Sequence, residues 1–191
     1  MHTIHHTRAV IVKSEPSRDA DKAYWLFTKE LGLVIATATG VRKSHAKLKG
    51  QLVDYAFIDA DLVQGREIWR LVSATLVNDP LLGNTTHPLA RGYVRALATL
   101  ERFLIGEGAH PELFAHIEDC AALLKEEGIG PKKFDTLAIW RILVHLGYIA
   151  VHNGDHALFE QPLADAVRAL SDEGVKRLVA EVNNTIKETH L

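Results

Sequence analysis

Residues 28–50 read TKELGLVIATATGVRKSHAKLKG, and the fold is decided on this stretch. Thr28-Lys-Glu ends one strand, Leu31-Gly32 makes a tight turn, and Leu33 to Thr39 continues as a second strand alternating larger and smaller side chains. A loop follows that holds Arg42, Lys43, Lys47 and Lys49 around His45, with no carboxylate among them in sequence. Four fixed positive charges on a short loop beside strands form a contact surface suited to a phosphate backbone. The cluster stands out because the whole chain has a formal net charge of only −2.

Outward from this stretch, the first 80 residues read as strands. Arg8 to Lys13 is rich in β-branched residues and runs into a turn-prone segment, Ser14 to Asp21, that contains Pro16. Ala23 to Lys29 carries Tyr24, Trp25 and Phe27. Leu52 to Val63 and Glu67 to Val77 are two further strands, joined by a short turn at Gln64-Gly65-Arg66. Five strands at short, regular spacing predict a small barrel or sandwich rather than alternating β and α units.

From about His87 the apolar period changes to 3.6. Leu89, Tyr93, Leu97, Leu100 and Leu104 mark one helix; Pro111 opens a second with Leu113, Ile117, Cys120 and Leu124 on its apolar face. Leu137, Trp140, Leu143 and Leu146 mark a buried helix stopping near Gly147. Leu163 to Leu170 and a segment from Asp172-Glu173 through Ile186 supply the last two. Turn signals accumulate at Asp79-Pro80, Gly83-Asn84 and His87-Pro88, so the chain divides into a β domain, 1–80, and an all-α domain, 81–191. The fold class is α+β.

The 47% apolar and 24% charged fractions are those of a globular protein. Met1 to Arg8 is polar and histidine-rich, and no apolar run reaches the roughly 18 residues that span a bilayer, so a soluble, cytoplasmic protein with no membrane partner is expected. The lone Cys120 excludes an internal disulfide and a four-cysteine zinc site. Residues 1–80 carry 11 Lys and Arg against 9 Asp and Glu, whereas 81–191 carry 11 against 15. The mildly basic half suits nucleic acid and the acidic half suits protein.

Competing chemistries find less support. The chain has 11 histidines, but the adjacent His5-His6 point to opposite faces of a strand, and His152 and His156 flank a turn around Asn153-Gly154 that offers too few ligands for zinc. The stretch His152 to Phe159 reads as a tight turn between helices. Cys120 falls on an apolar helix face, as an inert core thiol would. Asp59 and Asp61 share one face of a strand and read as solvated rather than as an acid–base pair. Gly128 to Lys133 could offer helix-terminal amides and lysines to an anion, but a helix-linking turn is the simpler reading. Trp25 and Phe27 share a strand face opposite Tyr24; in a small barrel most aromatics are core, leaving one or two to stack on bases. No metal, cofactor or catalytic set is expected.

The motifs also resemble a known family. The run Thr28-Lys-Glu-Leu-Gly-Leu33, the small-residue strand, and Gly40-Val-Arg-Lys-Ser44 with its alternating basic residues and Leu48 resemble the N-terminal domain of RecO, the bacterial recombination mediator of the RecF pathway. Arg8-Ala-Val-Ile-Val-Lys-Ser14, Gly65-Arg-Glu-Ile-Trp-Arg-Leu71 and Leu143 to Ala150 fit the same pattern. The resemblance implies an OB-fold barrel followed by a helical domain and a non-enzymatic role. It implies binding of single- and double-stranded DNA, strand annealing, work with RecR, and loading of recombinase onto DNA coated by single-strand-binding protein (SSB), whose acidic tail is a further partner. The matching basic positions are Arg42, Lys43, Lys47 and Lys49, with Lys13 and Arg66 on neighbouring elements. Many members carry a four-cysteine zinc module after the Leu-Gly-Tyr helix; this chain has the short stretch His152 to Phe159 there. The other readings are a protein-interaction adaptor acting through the helical domain and, with the least support, a metal-dependent enzyme.

Overall fold

The computed structural model describes residues 3–189 except 44, 45, 47, 67, 84, 85 and 153. Internal contacts divide the chain into two units: residues 1–82 with 105–114, and residues 83–104 with 115–191.

Five strands build the first unit: β1 (Ile4–Pro16), β2 (Lys22–Thr28), β3 (Gly32–Ala38), β4 (Phe57–Gln64) and β5 (Trp69–Asn78). They close into a barrel in the order β1-β2-β3-β5-β4. β1 makes closure possible because it is long and irregular. Its residues 4–10 pair with β4, its residues 9–16 pair with β2, and its register slips between Ile11 and Lys13. The last seam is a short parallel one, Ala36↔Trp69 and Thr37↔Arg70. Strand order, closure and the bent first strand make this an OB-fold.

Alternation along each strand sets what fills the barrel. Ile11, Tyr24, Leu26, Val34, Ile58, Leu62, Trp69 and Leu71 point inward, interleaved with Ala9, Ala36, Ala38 and Ala60. The alanines leave room for Tyr24 and Trp69 in a narrow five-stranded interior. Residues 105–114 lie against one end. Gly108 N donates to Leu31 O (3.0 Å), Gly32 bridges to Glu107, and the Trp69 indole N–H donates to Glu107 (2.8 Å). Phe114 packs on Phe27 and Phe57, with ring centroids 5.5 and 6.1 Å away. Gly32 is required here: its φ is +74°, and a Cβ would sit 2.3 Å from Gly108 O.

The strand expectations need three corrections. β1 begins at Ile4, four residues before Arg8, since the polar His5 and His6 pair with β4 as readily as apolar residues. β4 begins at Phe57 rather than Leu52. Gln51 N and Leu52 N both donate to Leu48 O in a helical turn, and Leu52 buries its side chain in the core from a loop. Tyr55, at φ 71°, then turns the chain into β4. β5 begins at Trp69, and Glu67 lies outside the described residues.

The second unit is helical: α1 (Ala90–Phe103), α2 (Pro111–Ala122, whose first turn belongs to the barrel unit), α3 (Pro131–His145), α4 (His156–Glu160), α5 (Leu163–Ala169) and α6 (Asp172–Glu188). α3 is buried all round from Thr136 to Leu143, as a central helix is. Gly92 on α1 lets Phe134 approach so closely that a Cβ would lie 2.9 Å from the ring. The Trp140 indole donates to Glu181 on α6 (3.0 Å), and Ser171 caps α6 by accepting from Gly174 N (3.0 Å). The turn after His152 is present, with Asp155 N donating to His152 O (2.8 Å), but it leads into the short helix α4 that its Asn-Gly pattern does not announce. No helix among the described residues is long and apolar enough to cross a membrane.

Candidate nucleic-acid interface

The β3–β4 loop carries the basic cluster. Arg42, Lys43 and Lys49 are exposed, and Lys47 lies outside the described residues. The loop is anchored through Arg42. Its amide donates to Ala20 O (3.0 Å) and its guanidinium to Asp19 O (3.2 Å), which fastens the β3–β4 loop to the β1–β2 loop. Asp21 adds a second tie by accepting from Gly40 N (2.8 Å). Sequence proximity showed no carboxylate beside the cluster, yet the fold brings Asp21 to it from a different loop.

Arg42 and Lys49 line a cleft of about 250 Å³ with Lys22 and Tyr24. The Lys22 ammonium lies 5.3 Å from the centre of the Tyr24 ring. Burial, helped by the Asp54 carboxylate, pushes the Tyr24 phenol up to about 12, so it stays neutral. Asp54 itself accepts from the Ser14 hydroxyl. The cleft therefore presents three cations and one neutral ring.

The other two candidates lie apart from this loop. Lys13 stands on the outer face of β1, 2.8 Å from Glu15 and 4.8 Å from the centre of the half-buried Trp25 ring. Its charge is shared with a carboxylate, which weakens it as a phosphate contact. Arg66 is exposed in the β4–β5 turn and lines a groove of about 490 Å³. Arg18 of the β1–β2 loop and Arg70 of β5 line the same groove, and neither follows from sequence proximity. The signal for Arg70 was available in the alternation that puts Trp69 inside and its neighbour outside. Arg18 becomes visible only once closure brings the β1–β2 and β4–β5 loops to one groove.

The aromatics divide by face. Tyr24 and Trp69 are core, and Phe27 and Phe57 are covered by Phe114. Trp25 remains half-buried on the outer face, paired across strands with the exposed Ile35. On the opposite side of the barrel, Asp59 and Asp61 are each taken by a basic partner, Arg8 at 3.1 Å and His6 at 2.6 Å.

A buried histidine and the cysteine lie together in the helical unit. The His116 Nε2–H donates to Ala138 O (3.0 Å), and Cys120 is fully buried 3.7 Å away. Burial raises the Cys120 thiol far above its ordinary range, so no thiolate forms. Among the described residues, no group of three or more His, Cys, Asp or Glu side chains could hold a metal ion.

Known proteins carry the same pattern. Residues 1–79 match the family model described as the recombination protein O N-terminal domain. Over 147 residues the chain is 24% identical to the DNA repair protein RecO of Clostridium kluyveri, covering 76% of this chain and 56% of that one. It is 26% identical over 145 residues to RecO of Synechococcus elongatus, covering 74% and 54%. A shorter match, 36% over 97 residues, is to RecO of Acaryochloris marina, covering 50% and 33%. The chain thus spans about half the length of the first two relatives, and the matching family model falls on the barrel that carries the basic loops. The five-stranded OB barrel, residues 1–79, is thus the part of the chain that matches the N-terminal domain of the RecO family, and the similarity to RecO proteins runs on into the helices.

Proposed function

We propose that this chain is a DNA-binding mediator of recombination and repair that engages DNA through its barrel. One observation carries the reading. Arg42, Lys43 and Lys49 are exposed on a loop fastened to the β1–β2 loop, and Arg66 faces the β1–β2 loop across a groove, in a chain whose net charge is −2. Concentrated positive charge on a nearly neutral protein is the electrostatic footprint of phosphate-backbone binding. Similarity to the RecO family supports the same reading, since the relatives are named DNA repair proteins.

Under this reading the barrel binds both single- and double-stranded DNA, because phosphate contacts do not distinguish them. The mediator anneals complementary strands and, with RecR, helps load recombinase onto SSB-coated DNA inside the cell. RecR and the acidic tail of SSB are the protein partners.

The test is titration of fluorescent single-stranded and duplex oligonucleotides at two salt concentrations, for the wild type and for Lys43→Glu/Lys49→Glu. Each phosphate contact contributes about −0.7 to the log–log salt slope on single strands, so the double variant should lose affinity and flatten the slope by roughly 1.4. Binding that is indifferent to salt, or unchanged in the variant, would sink the proposal.

A further inference from the structure

The cleft beside the basic loop is set apart by what converges on it. Lys22 of β2 lines it together with Arg42 and Lys49 of the β3–β4 loop, and its lining holds no carboxylate. Two of the three cations are fixed. The Lys22 ammonium lies 5.3 Å from the centre of the Tyr24 ring, and the Arg42 guanidinium is tied to Asp19 O (3.2 Å). Asp54 and Asp21, the acids of the adjoining segments, are taken by the Ser14 hydroxyl and the Gly40 amide. Three cations against these two carboxylates leave the cleft positive, which suits an anion.

Tyr24 adds a directional group. It is only 2% exposed and lines the cleft, yet its hydroxyl has no hydrogen-bond partner among the described residues. A buried hydroxyl is seldom left unsatisfied, and the open side here is the cleft. The phenol stays neutral, so it remains a donor. Val41 and Leu52 complete the lining with apolar surface, which gives a second charged group nothing to bind. At about 250 Å³ the cleft is smaller than the roughly 300–1,000 Å³ of pockets that hold drug-sized molecules. An internal phosphodiester carries one charge, and its chain must leave such a cleft on both sides. A phosphomonoester carries about 1.5 to 2 negative charges on three acceptor oxygens, and its chain leaves on one side only. The small, multiply cationic cleft with a spare hydroxyl donor matches the second group.

We infer that the cleft is a phosphomonoester site that takes the terminal phosphate of a DNA strand. Lys22, Arg42 and Lys49 balance its charge, and the Tyr24 hydroxyl donates to one of its oxygens. The inference rests on the DNA-binding reading above and deepens it. The loop as a whole meets backbone phosphates anywhere along DNA, while the cleft tells a phosphorylated end from the interior of a strand. Such a cleft draws the chain to nicks, gaps and broken ends, where terminal phosphates occur.

The experiment uses internally labelled oligo-dT of about eight nucleotides, within the site size of one OB-fold, phosphorylated at the 5′ end or at the 3′ end. A hydroxyl-ended strand one nucleotide longer has the same number of phosphates and controls for charge. The full chain is titrated as wild type, Tyr24→Phe and Lys22→Gln, with circular dichroism checking that each is folded. In the wild type a phosphate at one of the two ends is expected to tighten binding about tenfold over the control strand, the gain from one hydrogen-bonded charged group. Both variants are expected to lose most of that gain. Equal affinity for phosphorylated and control strands, or a gain that survives in either variant, overturns the inference while leaving DNA binding intact. Free dTMP as competitor separates the two sources of a phosphomonoester. Displacement only far above the Kd of the phosphorylated strand fits a strand end, whereas displacement at or below that Kd overturns it in favour of a free nucleotide. A folded wild type that binds no strand overturns both readings together.

Discussion

The helical unit and one groove of the barrel treat the same side chain in opposite ways. In the helical unit arginine holds structure together. Arg141, buried on α3, donates to Leu158 O at 2.8 and 2.6 Å and to Gln161 O at 2.7 Å, fixing the segment that carries α4. Arg177 grips the buried Asp155 with two bonds of 2.7 and 2.5 Å, and Arg95 meets Asp135 at 2.7 Å. In that groove the Arg18, Arg66 and Arg70 side chains are exposed and form no ion pair with a described residue. Where a guanidinium is consumed by carbonyls and carboxylates it contributes stability; where it is left without a bonded partner on a rigid scaffold it is available for a ligand.

This contrast breaks most readily at Arg141. Arg141→Met keeps the stem and removes three hydrogen bonds, two of them to Leu158 O. A loss of about 2–4 kcal/mol is expected in urea denaturation, since bonds to charged groups contribute about 1.5–3 kcal/mol each and relieved burial of the charge offsets part of it. A loss below about 1 kcal/mol would mean that the guanidinium does not hold the α4 segment.

His116 sharpens the comparison through pH. Burial pulls its imidazole from the ordinary 6.5 down to about 3, opposed by the Ala138 hydrogen bond and assisted by Arg141 and His145. Because the folded-state value lies below the unfolded one, the unfolded chain takes up a proton between those values that the folded chain refuses. Its contribution to stability is therefore full above pH 6.5 and declines as pH falls toward 3. His116→Gln should flatten the fall in unfolding free energy between pH 7 and pH 5 relative to the wild type. Parallel pH profiles for the two proteins would contradict the buried neutral imidazole. Asp119 and Asp135, whose carboxyls burial lifts, act in the opposite direction and are common to both proteins.

The smallest expected effect is on the barrel side. Arg66→Ala and Arg70→Ala should each change stability by no more than about 0.5 kcal/mol, as surface substitutions away from packed features do. A larger thermal destabilisation would place these side chains in the fold's own bonding.

The contrast also explains how much could be read in advance. β2, β3, α1 and α6 are legible because one face of each is apolar at a fixed period, and burial follows that period, while α3, buried all round, shows as a dense apolar run. Leu52 misleads because a loop buries it as thoroughly as a strand would, so the largely apolar stretch from Leu52 to Phe57, interrupted by Asp54, looks continuous with β4. The start of β1 is hidden by His5 and His6, whose polarity conceals regular pairing with Leu62 and Asp61. α4 is five residues long, too short for a period to show. In the candidate site, the loop of Arg42, Lys43 and Lys49 is legible because its charges are neighbours in sequence. The groove is not, because Arg18 joins Arg66 and Arg70 only through barrel closure, and periodicity carries no information about which loops come together.

The strap at residues 105–114 has a consequence for how the protein is made. β5 ends at Asn78, but Phe114, which covers Phe27 and Phe57, lies 36 residues further on. At synthesis rates of about 5–20 residues per second, the five strands precede their own cover by roughly two to seven seconds. For that interval the emerging barrel lacks the Glu107 acceptor for Trp69 and carries two uncovered phenylalanines. The nascent N-terminal portion is thus a natural client for whatever shields apolar surface at the ribosome, until α1 and the strap have followed it out.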